Sequence, residues 1–191
     1  MLFRVFAFSF SLFSLASCVP VAIVGVGGGV GAYATRNETG VGGKISDVEI
    51  GLKVDKKLFE YDSKMKGDIN FVVKNACVLL VGSVPDGEDR HAIEEIISRT
   101  DGVKLVFNEL KINEKYSNAE SLSDTLMTSD INARLLMNKC IKSLNYKIIS
   151  YKNNVYIIGI SETEQELNQV IATIKKVVGV KKIISYITLK K

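Results

Sequence analysis

Histidine is almost absent from this chain, which has one, His91, among 191 residues. Histidine is the most common general base near neutral pH and a frequent metal ligand. A lone histidine on a helix is more often a surface residue than a base, and no HExxH motif, P-loop or cysteine–histidine pair accompanies it. The sequence therefore predicts no catalytic residue, no metal site, no cofactor and no small-molecule substrate.

Cysteine is also scarce, at positions 18, 77 and 140. The three residues show neither a CxxC pair nor the spacing of a metal site. Cys18 belongs to the amino-terminal leader. We expect Cys77 and Cys140 to be free thiols, although the sequence leaves a disulfide between them open.

Long hydrophobic runs are missing, apart from a short one at the amino terminus. Residues 1–18 have a basic Arg4, an apolar stretch too short to span a bilayer comfortably, and the sequence Leu15-Ala16-Ser17-Cys18. This pattern predicts a lipoprotein signal peptide whose lipobox cysteine, Cys18, is acylated. An ordinary signal peptide or an N-terminal anchor helix is the alternative. The Gly-rich residues 19–43 then form a flexible tether.

Beyond the tether, the chain repeats itself with an offset of 77 residues. Val78-Leu79-Leu80-Val81-Gly82 matches Val155-Tyr156-Ile157-Ile158-Gly159, and Ser46-Asp47 matches Ser123-Asp124. One unit therefore occurs twice, and the repeat sets the domain count. We define domain one as residues 44–112, a linker as 113–120 and domain two as 121–191.

Each unit has the pattern helix, strand, strand, helix, strand. Ile50, Val54 and Leu58 recur at helical spacing, and Met127, Ile131 and Leu135 do so in domain two. Ser46-Asp47 and Ser123-Asp124 are expected to cap these first helices. Hairpin turns are expected at Asn75-Ala76 and at Asn153-Asn154. The fold class is therefore α+β, with a small sheet in each unit and both helices on one face.

Charge is distributed unevenly between the two domains. Residues 44–112 carry 11 basic and 13 acidic residues, whereas residues 121–191 carry 11 basic and 5 acidic ones. Domain two therefore has a net charge of +6, which points to an anionic partner or to a solvated basic surface. Nucleic acid is disfavoured, because the chain carries an export signal and has too few aromatic residues for a base-stacking platform.

The first helix of domain two has a second apolar stripe. Leu126, Ala133 and Met137 form it, and their counterparts in domain one are the charged Glu49, Lys56 and Glu60. An apolar outer stripe usually covers something. Either it packs on domain one or the linker, or it meets a lipid headgroup region. In the second case Arg134, Lys139 and Lys142 would contact lipid phosphates.

The two units resemble the BON domain family, in the V-x-L-x-G pattern of each hairpin and in Gly102-Val103 and Gly179-Val180 before the last strands. The lipobox, tether and tandem units together resemble outer-membrane lipoproteins with two such domains. The resemblance implies a non-enzymatic protein that binds anionic phospholipid through domain two and supports outer-membrane integrity.

The expected location is the periplasmic face of the bacterial outer membrane, because Val19 rather than aspartate follows the lipobox cysteine. The expected partner is an anionic phospholipid membrane. The alternative is an adaptor that binds a protein of the outer-membrane assembly machinery through the same apolar stripe.

Overall fold

A computed structural model describes residues 45–61 and 68–190. The predicted signal peptide, Cys18 and the tether lie outside this part of the chain. Domain one has the elements α1 (Asp47–Tyr61), β1 (Ile69–Lys74), β2 (Cys77–Val84), α2 (Gly87–Ser98) and β3 (Leu105–Ile112). Domain two has α3 (Asn118–Met137), a short 3-10 helix (Ser143–Asn145), β4 (Tyr146–Tyr151), β5 (Asn154–Ser161), α4 (Glu164–Lys175) and β6 (Lys182–Leu189).

Both domains have the same sheet. β2 lies between β1, to which it is antiparallel, and β3, to which it is parallel; β5 lies in the same way between β4 and β6. The helices cover one face of each sheet, where Val78 and Leu80 of β2 pack against α1 and α2. Val155 and Ile157 of β5 pack likewise against α3 and α4. The predicted α+β fold with two αββαβ units is confirmed.

An aspartate on each first helix holds the hairpin turn of its domain. Asp124 is 2% exposed and accepts hydrogen bonds from the amides of Lys152 (2.5 Å) and Asn153 (2.9 Å). In domain one, Asp47 accepts from the amides of residues 75 and 76, at 2.9 and 2.8 Å. The repeated Ser-Asp pair therefore has a structural reason, because each aspartate ties its helix to the adjacent hairpin.

The hairpin turn of domain two lies one residue earlier than predicted. Lys152 and Asn153, rather than Asn153 and Asn154, have positive φ angles of 50° and 65°. Asn154 is the first residue of β5. The hydrogen bonds that Asp124 accepts fix the position of the turn, because they hold the amides of Lys152 and Asn153 toward the helix.

The first helix of domain two begins earlier than its predicted cap. Ser46 caps α1 as expected and accepts from the amide of Glu49 at 3.2 Å. In α3, however, the cap is Ser117, and Glu120 closes a capping box with it. The capping box accepts hydrogen bonds from the free backbone amides of the first turn, so the helix begins at Asn118 instead of after Ser123. Residues 118–120 of the predicted linker are therefore helical.

The helix-free faces of the two sheets pack against each other. Leu79 and Val81 of β2 are fully buried against Tyr151, Tyr156 and Ile158 of domain two. Side chains on a strand alternate between faces, so β2 and β5 are buried on both sides. The two domains share this second apolar core.

Polar and aromatic contacts join the domains at the margin of the shared core. The ring of Tyr186 stacks on Phe107 with centroids 4.1 Å apart, and its hydroxyl donates to Glu109. These contacts desolvate the phenol, and with the hydrogen bond to Glu109 they raise the pKa of Tyr186 to about 12. The ring of Tyr116, in the linker, packs against the ring of Tyr151 with their centroids 4.5 Å apart. The interface therefore combines apolar burial with directional contacts.

The two glycines that mark the repeat lie where no side chain fits. A Cβ atom on Gly82 would lie 2.1 Å from the carbonyl oxygen of Asp68, and one on Gly159 would lie 2.3 Å from that of Asn145. Gly82 also has a φ of 145°. The carbonyl groups of Asp68 and Asn145 therefore lie so close to β2 and β5 that only glycine fits at positions 82 and 159.

We expect Gly159→Ala to destabilise the protein by about 1–3 kcal/mol, because the added methyl group collides with backbone. Gly51→Ala is the matched control. It adds the same methyl group within α1, where the nearest atom is 3.9 Å away, and it should stabilise by about 0.5–1 kcal/mol. Urea denaturation of both variants measures the difference. Equal stability of the two variants would contradict this role of Gly159.

We expect Asp124→Ala to destabilise the protein by about 1–3 kcal/mol, because it leaves partly buried amide donors of the turn without their acceptor. Asp130→Ala is the control: it removes an exposed ion pair with Arg134 and should change stability by less than about 0.5 kcal/mol. Thermal unfolding followed by circular dichroism compares them. If the two variants melt together, Asp124 does not hold the hairpin.

Candidate functional site

The first helix of domain two, α3, has a buried face and an opposite exposed face. The helix has 20 residues, which corresponds to a length of about 30 Å. Met127, Ile131 and Leu135 recur every four residues and are buried on the sheet. These contacts fix the rotation of α3, so the remaining side chains point away from the sheet.

The predicted apolar stripe lies on the exposed face. Leu126 is 62% exposed and Met137 is 82% exposed, and Ala133 between them is exposed as well. The possibility that this stripe packs on domain one or on the linker is therefore wrong. Domain one packs on the helix-free face of the sheet, on the other side of domain two.

Sequence reasoning missed two leucines of the same face. Leu122 and Leu136 are 61% and 72% exposed. At 100° per residue both lie within about 60° of Leu126 or Ala133, so a helical wheel drawn for the whole of α3 finds them. We call the set the outer row of α3; it consists of Leu122, Leu126, Ala133, Leu136 and Met137.

Two of the three predicted phosphate contacts are already engaged in ion pairs. Arg134 lies 2.9 Å from Asp130, one turn earlier on α3, and Lys142 pairs with Glu162. Both cations are exposed, so these pairs are weak. Lys139 is exposed and makes no ion pair with the described residues. The apolar residues of the predicted site are brought together, whereas its positive charge is partly neutralised.

Domain one also exposes apolar side chains on its first helix. Val48, Leu52 and Phe59 of α1 are 66%, 68% and 58% exposed. The contrast between the two domains is therefore smaller than the sequence comparison indicates. The surroundings differ, however, because Glu49 and Glu60 lie on α1 beside this row and form ion pairs with neighbouring lysines.

A second basic surface of domain two lies at the β6 edge of its sheet. Lys175, in the last turn of α4, and Lys181 and Lys182, at the start of β6, border an open cleft of about 360 Å³. All three side chains are exposed. From the sequence these lysines contribute only to the net charge of domain two, because they come together only when α4 packs against β6.

The described residues contain few groups suited to other chemistry. Cys77 and Cys140 are free thiols, as expected, and burial raises the pKa of Cys77. His91 is exposed on α2. In residues 45–61 and 68–190, no cluster of three histidine, cysteine or acidic side chains could hold a metal ion. Nor does any helix of those ranges have the length and hydrophobicity needed to cross a bilayer.

Comparison with known proteins identifies both domains. The family model described as the BON domain matches residues 46–114 and 123–191. An uncharacterized protein of the gshII 5′ region of Anaplasma centrale is 35% identical over 76% of this chain and 96% of its own length. The outer membrane lipoprotein DolP of Haemophilus influenzae is 30% identical over 89% of this chain and 87% of its own.

A third relative is named for a different property. The 21 kDa hemolysin of Actinobacillus pleuropneumoniae is 28% identical over 72% of this chain and 75% of its own length. The matches of the family model fall on the two αββαβ units and together cover more than half of the chain. This protein therefore belongs to the BON domain family, with two such domains in tandem.

Proposed function

We propose that this protein is a non-enzymatic envelope lipoprotein whose second BON domain binds an anionic phospholipid membrane. Acyl chains on Cys18 hold it at the periplasmic face of the outer membrane, where it supports the integrity of that membrane. The observation that carries the proposal is the outer row of α3, an exposed apolar face on the domain with a net charge of +6.

The magnitudes suit a peripheral contact. Full burial of a leucine or methionine side chain contributes about 1.5–3 kcal/mol, and partial insertion of Leu126 and Met137 contributes less. Each lysine or arginine near an anionic surface adds about 1 kcal/mol. These contributions together give weak binding of the isolated domain.

The lipid anchor makes weak binding sufficient. When acyl chains already hold the protein at the membrane, docking of domain two becomes an intramolecular step with a high effective concentration. The lipobox at residues 15–18 and the name of the Haemophilus relative, an outer membrane lipoprotein, both support an anchored protein. The tether at residues 19–43 supplies the reach between anchor and domain.

An adaptor role is the second candidate, and the exposed row on α1 favours it. Val48, Leu52 and Phe59 lie beside Glu49 and Glu60, whose carboxylates form ion pairs with lysines of the same helix. These pairs leave this face without the excess positive charge that an anionic membrane attracts, so it suits a protein better than a lipid surface. A protein of the outer-membrane assembly machinery is the expected partner in that case.

We expect Leu126→Glu combined with Met137→Glu to weaken binding to phosphatidylglycerol-containing vesicles on the order of tenfold or more. The variant loses two apolar contacts and adds two charges that the membrane repels. Co-sedimentation of the unacylated mature chain, from residue 19 onward, measures the effect. The same chain should bind vesicles of neutral lipid weakly, and its binding to anionic vesicles should fall as salt rises.

Val48→Glu combined with Leu52→Glu is the matched control, because it makes the same change on an exposed helix face of domain one. Its vesicle binding should equal that of the unmutated chain. Unchanged vesicle binding by the α3 variant would remove the outer row from the proposal. Loss of vesicle binding by the α1 variant alone would assign the membrane contact to domain one.

A further inference from the structure

The cleft between α4 and β6 combines an apolar floor with a ring of lysines. Ile171 on α4, with Val180 and Ile183 at the start of β6, lines the cleft, and each is half-buried. Lys175, Lys181 and Lys182 line the same cleft. Apolar and cationic groups therefore meet within one concave surface.

The lysines of the cleft have no carboxylate partner in direct contact among the described residues. In the part of the chain described, none of its three lysines belongs to an ion pair. Two carboxylates of domain two, Asp124 and Glu166, are buried and accept backbone hydrogen bonds rather than pairing with these lysines.

The other three carboxylates of the domain are also occupied or distant. Asp130 and Glu162 pair with Arg134 and Lys142. Glu164 begins α4 while Lys175 ends it, a separation of about 16 Å along the helix.

One further carboxylate, Glu120 at the start of α3, is influenced by the cleft. Hydrogen bonds from Ser117 lower the pKa of Glu120, and the charges of Lys152 and Lys181 contribute less. Its Oε2 atom accepts from the amide and the hydroxyl of Ser117. Glu120 therefore caps the helix and interacts with Lys181 at a distance, without forming an ion pair with a lysine of the cleft.

The helix dipole explains only part of this arrangement. A cation in the last turn of a helix is stabilised by the carbonyl groups there, which accounts for Lys175. Lys181 and Lys182 lie beyond Gly179, just before β6 and at its first residue, and gain nothing comparable. Their position beside Lys175 brings like charges together, and an anion in the cleft would relieve the repulsion.

The cleft lies at the same end of domain two as the first half of α3. The amide of Lys181 donates to the carbonyl of Asn153 at 2.8 Å, and Asn153 is held in turn by Asp124 of α3. Val178, in the loop between α4 and β6, is 91% exposed. Val178 and the lysines of the cleft are therefore exposed at the end of domain two at which α3 begins.

We infer that this cleft is a phospholipid headgroup site, in which the lysine ammonium groups bind the phosphate and the apolar floor contacts the first carbons of the glycerol and acyl chains. The inference rests on the proposed function and names the residues that recognise the anion. The phosphate-binding role is therefore assigned to Lys175, Lys181 and Lys182, which have no ion-pair partner among the described residues. Arg134 and Lys142 are less suited to it, because each pairs with a carboxylate. Lysine suits this role, because it binds phosphate as a point charge.

The test compares two variants that each remove two positive charges. Lys181→Gln with Lys182→Gln alters the cleft. Lys115→Gln with Lys190→Gln alters two exposed lysines outside the cleft and outside the predicted phosphate contacts; Lys115 lies in the linker, and Lys190 follows the far end of β6. Each variant is made in the unacylated mature chain and titrated with dihexanoyl phosphatidylglycerol below its micelle concentration and, separately, with inorganic phosphate. Backbone amide shifts report the binding.

We expect the lipid to shift amides of residues 171–185 in the unmutated chain and in the Lys115/Lys190 variant. The cleft variant should lose affinity for the lipid on the order of tenfold. If both variants lose the same affinity for the lipid, the effect is one of overall charge, and the proposed site is wrong. Binding of inorganic phosphate as tight as that of the lipid would overturn the assignment of a lipid ligand.

Vesicle binding separates this inference from the proposed function. If the cleft variant binds anionic vesicles normally while the Leu126/Met137 variant does not, the outer row stands and the cleft fails. If only the cleft variant loses binding to anionic vesicles, the cleft is supported as a membrane contact and the outer row is not. Normal binding by both variants would overturn both assignments.

Discussion

The packing of two sheets through their helix-free faces determines what the rest of this molecule can do. Leu79, Val81, Tyr156 and Ile158 are almost completely buried at this contact. A three-stranded sheet with helices on one face leaves its other face in water, and apolar residues there destabilise the isolated unit. Here each domain covers the exposed sheet face of the other.

This packing leaves the helices as the outer surface of both domains. The middle strands are buried on both sides, so neither sheet face is available to a ligand. Surfaces for partners must then come from the outer faces of helices and from the sheet edges. The outer row of α3 and the cleft beside β6 are of these two kinds, and both belong to the basic domain.

The element order could be predicted from the sequence because the repeat displays every periodicity twice. Register could not, since it depends on tertiary hydrogen bonds: Asp124 selects the amides of Lys152 and Asn153 from 28 and 29 residues away. The start of α3 was missed for a different reason. Ser117 and Glu120 form a capping box that the sequence shows, but the comparison with domain one drew attention to Ser123 instead.

The exposed row of α3 could be predicted in part, because a helical wheel needs only the helix and its buried face. The electrostatics of the site could not. Lys142 and Glu162 are 20 residues apart and meet only in the folded domain. The same holds for Lys175 and Lys182, which come from a helix end and a strand start. Net charge showed that domain two is basic, and the fold shows where that charge is concentrated.

The contact between Glu109 and Tyr186 joins positions that the internal repeat makes equivalent, since they are 77 residues apart. Equivalent positions also touch each other at the twofold axis of an isologous homodimer. In this respect the single chain resembles a dimer whose two subunits have been fused. Fusion removes the dependence of such an assembly on concentration, and it frees the two halves to diverge, one remaining nearly neutral and the other becoming strongly basic.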